Sequence, residues 1–83
     1  MPLAETATEW IVMGFGDTLD AALEQALQRA IAFLQRFVGL RAEDAYMLCS
    51  LGVHFQITQA VNLPTKGVHA RITKAMLPTP VIL

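Results

Sequence analysis

Apolar residues change their spacing several times along this chain, and each change predicts an element. Trp10-Ile-Val-Met-Gly-Phe15 is an apolar, β-prone run that Gly14, Gly16 and Asp17 close. Because polar alternation is missing, the run predicts a strand buried on both faces, with Thr6 and Thr8 extending it backwards. From Leu19 the step becomes three or four residues. Leu19, Leu23, Leu27, Ile31, Leu34 and Val38 form a stripe, widened by Ala22, Ala26, Ala30, Phe33 and Phe37. Glu24, Gln25, Gln28, Arg29, Gln35 and Arg36 take the other side. This is an amphipathic helix of about six turns with a wide apolar face, which predicts packing on a sheet and contact with something further. Asp17 or Thr18 can cap its start, Asp20 and Glu24 suit its positive end, and Gly39 suits the position after its last turn.

A shorter helix is predicted from Ala42 to Leu51. Glu43 and Asp44 lie in its first turn, Ala45, Leu48, Cys49 and Leu51 form its apolar side, and Gly52 ends it. Arg41 stands where a Ser or Asp cap is expected, so this start is weak. The spacing then falls to two. Val53, Phe55, Ile57 and Val61 alternate with His54, Gln56 and Thr58, which predicts a half-buried strand. Asn62-Leu-Pro-Thr-Lys-Gly67 is a turn cluster, and Val68, Ala70 and Ile72 alternate with His69 and Arg71. The two runs predict an antiparallel hairpin. The tail from Leu77 carries two prolines and predicts an extended segment lying on the protein or on a partner. The whole is an α+β unit of order β-α-α-β-β, one small domain over residues 1–83. Two helices on one face of a three-stranded, mainly antiparallel sheet are the economical packing. Pairing of a free edge across a two-fold axis would hide apolar surface.

Composition sharpens that last point. Of 83 residues 54% are hydrophobic and 16% charged, and mean hydropathy is +0.46. So small a body has little interior to hide this much apolar surface. The expectation is a homo-oligomer, a dimer or higher. Net charge is −1 and the six cations are dispersed, which argues against nucleic acid as a partner. The start lacks a basic region of the secretory kind, and no uncharged apolar run reaches the roughly 18–20 residues of a membrane span. Cytoplasm is the expected compartment, with no membrane partner. Cys49, the only cysteine, reads as a buried small hydrophobe.

Few residues carry candidate chemistry. His54 and His69 fall on adjacent strands and on the polar side, where they are either a two-histidine metal or proton-transfer site or two hydrogen-bonded histidines. Glu5 and Glu9 are either a carboxylate pair or two ion-paired acids. Gly14-Phe-Gly16-Asp17 lacks the third glycine and the lysine of a phosphate loop, so it reads as a strand-to-helix turn. Ser50 lacks a nucleophile-elbow context. Trp10 serves core or interface burial ahead of ligand stacking. Gln56, Thr58 and Gln59 make a neutral polar row.

Several segments in order resemble the C-terminal region of the acetamidase/formamidase family. They are Glu5-Thr-Ala-Thr, Trp10-Ile-Val-Met-Gly-Phe, Glu43-Asp-Ala-Tyr-Met-Leu-Cys-Ser-Leu, Phe55-Gln-Ile-Thr-Gln-Ala-Val-Asn, Lys66-Gly-Val-His-Ala and Lys74-Ala. The resemblance implies a link to hydrolysis of short aliphatic amides, such as formamide and acetamide, to acid and ammonia. It also implies that the family's Asp-, His- and Glu-rich catalytic and metal segments lie upstream of the matching region. The resemblance assigns any divalent metal to the full-length family, and no cofactor is expected in this chain. The sequence departs from the family pattern at Glu9, His54, Gln56 and Arg41. The expectation is a self-associating module without catalysis of its own. The alternative is one subunit of a split amidase, joined to a partner chain carrying the upstream region. In that case His69, Lys66 and Asn62 would lie at the site, with Glu5 and Glu9 as further candidates.

Overall fold

In the computed structural model, residues 3–58, 65–79 and 81 are described. Strand β1 (Leu3–Glu5) is followed by β2 (Glu9–Gly16), helix α1 (Leu19–Phe33), a π-helical turn (Leu34–Val38) and α2 (Ala42–Gly52). Strands β3 (His54–Thr58) and β4 (Lys66–Thr73) come next, and a 3₁₀ turn (Lys74–Met76) follows them. All strand neighbours are antiparallel, in the order β1-β2-β4-β3. The α+β class and the β3–β4 hairpin are as the sequence predicts, but the sheet has four strands and not three.

The added strand is β1, too short for periodicity to reveal. A threonine turn folds it back on β2. Thr6 Oγ1 accepts from the backbone N–H of Glu9 (3.0 Å) and Thr8 (3.3 Å), and Thr6 N–H donates to the Glu9 carbonyl (2.9 Å). Thr6 and Thr8 therefore reverse the chain where the sequence predicts that they extend β2.

Helix α1 crosses the sheet over β2 and β4. Its contact line is a row of alanines. Ala22, Ala26 and Ala30 are fully buried, as is Phe33, against Trp10, Val12, Ala70 and Ile72. The predicted leucine stripe is displaced from this line. Leu19 and Leu23 are 45% and 43% exposed, and Leu27 and Ile31 only partly covered. The cause lies at Gly14, which sits inside β2, whereas Gly16 is its last residue and closes it as expected. A Cβ on Gly14 would fall 2.2 Å from Ala26 N and 2.6 Å from the Ala22 carbonyl oxygen. One on Gly16 would fall 2.7 Å from Ala21 Cβ. Backbone meets backbone there, so only alanines fit on the facing side of the helix.

Thr18, in extended conformation, caps α1, its Oγ1 accepting from Ala21 N–H at 3.1 Å. Such a cap contributes about 1 kcal/mol. Gly39 ends the π-helical turn at φ 80°, as its position predicts. Phe33 joins the two halves of the core, its ring 5.5 Å from Trp10 and 5.3 Å from Phe37. Helix α2 packs against α1 through Ala45 and Cys49 and lacks a side-chain cap at Arg41.

Burial in β2 alternates, contrary to the two-sided burial expected. Trp10, Val12 and Gly14 are buried, whereas Ile11 and Met13 are half-buried and Phe15 is exposed. The unbroken apolar run thus has one face on the helices and the other on an open sheet surface. In β4 the predicted faces hold, with Val68, Ala70 and Ile72 buried and His69 and Arg71 opposite. In β3 His54 and Gln56 take the polar face, Phe55 is half-buried, Ile57 is exposed at the sheet edge, and Gln59 and Val61 lie outside the described residues. Of the tail, Leu77 and Val81 pack against the core.

Gly14→Ala should destabilise the fold by about 3 kcal/mol or more, because the new methyl meets helix backbone that cannot swing aside. Gly39→Ala has open space around it and should cost only about 1 kcal/mol, through its left-handed backbone. Paired thermal melts check both. A Gly14→Ala loss no larger than that of Gly39→Ala contradicts the close approach.

Candidate functional site

Antiparallel register gathers the polar candidates on the sheet face away from the helices. Across β4, Arg71 stands opposite Ile11 and His54, and His69 opposite Met13 and Gln56. Arg71 is the hub. Its Nη2 donates to Glu9 Oε1 at 2.8 Å, its Nε to Glu9 Oε2 at 3.2 Å, and its Nη1 to Gln56 Oε1 at 3.2 Å. Hydrogen bonding to Glu9, and then the nearby carboxylate charge, push the Arg71 pKa further up, with a smaller opposing effect of desolvation. The guanidinium is thus a fixed cation committed to structural partners.

His69 Nδ1 lies 2.6 Å from Thr58 Oγ1, which orients the ring across the β3–β4 hairpin. His54 is not across from it. The register offsets the two histidines by one pair and puts His54 opposite the Arg71 cation. The sequence places both histidines on the right face but leaves this stagger open. Among the described residues no group of three or more His, Cys, Asp or Glu can hold a metal.

The two acids do not pair. The β1–β2 hairpin sets Glu5 opposite Trp10, on the helix side of the sheet, and Glu9 on the other side. Each has its own cation. Lys74 Nζ donates to Glu5 Oε2 and also lies 5.1 Å from the centre of the Trp10 ring, while Arg71 holds Glu9. Of the alternatives the sequence leaves open, the structure takes the ion-paired one. Lys66 is exposed at the start of β4, opposite Gly16. Asn62 lies outside the described residues. The arrangement therefore joins His69, Thr58, Gln56, Arg71 and Glu9 in one ladder and leaves Glu5 and Lys66 apart from it.

Sequence reasoning also misses two roles on the polar side of α1. Beyond the reach of the short β1, the edge of β2 is bonded by helix side chains. Gln25 Oε1 accepts from Phe15 N–H at 2.7 Å, and Arg29 Nη1 donates to the Met13 carbonyl at 3.0 Å. Once β1 is known to be three residues long, the unpaired β2 groups call for such partners.

Cys49 is buried and free, and burial raises its thiol pKa from 9.0 to about 11. At pH 8 about one thiol in a thousand is ionised, too few for a nucleophile. A thiol reagent at pH 8 should therefore leave the folded protein unlabelled and label it fully in denaturant. Because the folded pKa lies above the unfolded one, this group's contribution to stability is intact below pH 9 and falls away as pH rises toward 11. An alkaline melting series in which Cys49→Ala flattens that decline checks the sign.

No family model matches the chain, and no curated protein matches it. Among solved structures it is similar to an acetamidase from Bacillus halodurans, at 30% sequence identity and a TM-score of 0.81. The likeness covers 95% of this chain and 28% of that one, so the chain spans little more than a quarter of the acetamidase's length. With that identity over nearly the whole chain, the unit has an acetamidase-like α+β fold.

Proposed function

We propose that this chain is a module equivalent to the C-terminal region of acetamidase/formamidase proteins, self-associating and without amide hydrolysis of its own. The observation that carries the reading is the pairing of close similarity over 95% of this chain with coverage of only 28% of the acetamidase. The side chains support it. Glu5, Glu9 and Arg71 are held in ion pairs, and Cys49 is a buried, protonated thiol. None of them is a free acid, base or nucleophile. Any divalent metal or further catalytic group would then come from the family's upstream region. Self-association is supported by exposed apolar side chains on both helices and on β3, among them Leu19, Leu23, Met47, Leu51 and Ile57. No helix among the described residues is long and apolar enough to cross a membrane. A cytoplasmic role without membrane or nucleic-acid partners is part of the proposal.

A second reading rests on the open sheet face. There the half-buried Ile11 and Met13 flank His69 and Thr58, a surface that a chain carrying the upstream amidase region could cover. In that split amidase His69 would be the residue nearest the chemistry.

Ammonia release from formamide and acetamide, with and without added divalent metals, tests the inactive-module reading, and co-purification of a large partner chain carrying the upstream region tests the split amidase. The 83-residue protein alone should show no release above buffer. Turnover that disappears in His69→Ala overturns the inactive-module reading. Light scattering should give at least twice 9.1 kDa, and a 9.1 kDa species at micromolar concentration overturns self-association.

A further inference from the structure

The sheet treats its two edges differently, and the difference singles out a surface. On the β1 side the edge is managed. β1 is only three residues long, and beyond it Gln25 and Arg29 bond the exposed groups of β2. On the other side β3 has β4 as its only strand neighbour among the described residues. Its sequence, His54-Phe-Gln-Ile-Thr58, holds no proline, lysine or other fixed charge that would repel a pairing strand. Beside this edge lies a mainly apolar groove lined by Leu19, Leu23, Phe55, Ile57 and Val68, with Asp20 and Gln56 as its polar members and Ile57 62% exposed.

We infer that β3 pairs antiparallel with β3 of a second copy of this chain, across a two-fold axis at Gln56. The strand is self-complementary in this register. Phe55 falls opposite the second copy's Ile57, an aromatic against a β-branched side chain, on the face that carries the helices. His54 falls opposite Thr58, and Gln56 opposite itself, on the polar face. No like charges meet, and a one-residue slip would set apolar against polar side chains. The sheet would continue from one copy into the next, and Leu19 and Leu23 of the two α1 helices would close the groove from above. A two-fold contact of this kind is closed, so it ends at a dimer and does not propagate. The inference rests on the self-association proposed above and names its surface.

Cross-linking and mass test it together. In this register the two Gln56 Cα atoms lie about 4.5–5.5 Å apart, within disulfide reach. Gln56→Cys should oxidise to a covalent dimer at low micromolar concentration. Met47→Cys, exposed on α2, should remain a single chain. Ile57→Lys places a charge on the edge and should halve the mass from twice 9.1 kDa to 9.1 kDa, with an unchanged circular dichroism spectrum. If the wild type is assembled yet Gln56→Cys cross-links no faster than Met47→Cys, the surface is wrong and self-association stands. The same holds if Ile57→Lys folds and keeps its mass. A monomeric wild type overturns both.

Discussion

The close approach of α1 to β2 at Gly14 is the constraint on which the rest of the structure depends. With no room for a Cβ at Gly14 or Gly16, the helix settles onto the strand backbone, and its contact row is limited to Ala22, Ala26 and Ala30. Such a seam buries little side-chain area. Larger groups therefore supply the apolar mass at its end, where Trp10, Phe33, Leu34 and Ile72 enclose the deep core. The leucines that a wide helical stripe offers are left at the margins, and two of them reach the surface beside β3.

Helix α1 covers one face of the sheet, and the opposite face is open among the described residues. On that face the chain builds a polar ladder, Glu9–Arg71–Gln56 and His69–Thr58, running across β2, β4 and β3. Between these polar residues stand Ile11 and Met13, only half-buried. The ladder ties three strands together, with Glu9 and Arg71 held in an ion pair and His69 bonded through Nδ1 to Thr58.

Much of this was legible in the sequence. The change in apolar spacing from short run to helix to alternation locates α1, α2, β2 and the β3–β4 hairpin, and the Thr18 and Gly39 signals mark the ends of the long helix. What the pattern misses is physical in origin. β1 spans one and a half periods of a strand, too few to register, and its turn depends on a single threonine hydroxyl. Hydropathy ranks leucine above alanine, yet distance between backbones, and not hydropathy, chose the face of α1 that meets the sheet. The run in β2 looks two-sided because an apolar residue is counted alike whether its own chain or something else covers it. For the candidate site, the faces of His54, His69, Glu9 and Arg71 follow from alternation. Their partners depend on register, which a single strand cannot specify, so the stagger of the histidines and the separation of Glu5 from Glu9 emerge only from the paired sheet.

Gln25 and Arg29 carry a meaning beyond the groups they satisfy. Alanines interlock poorly, so a seam made of them resists sliding and rolling less than one of leucines does. Two side chains one helical turn apart, each fastened to a different residue of β2, act as an angular stop for the rod they sit on. Turning or shifting α1 by one residue would strand the Phe15 amide and the Met13 carbonyl together. The helix is thus indexed to the strand by its polar side while its apolar side merely rests there, and the precision of this small fold resides in residues that hydropathy assigns to solvent.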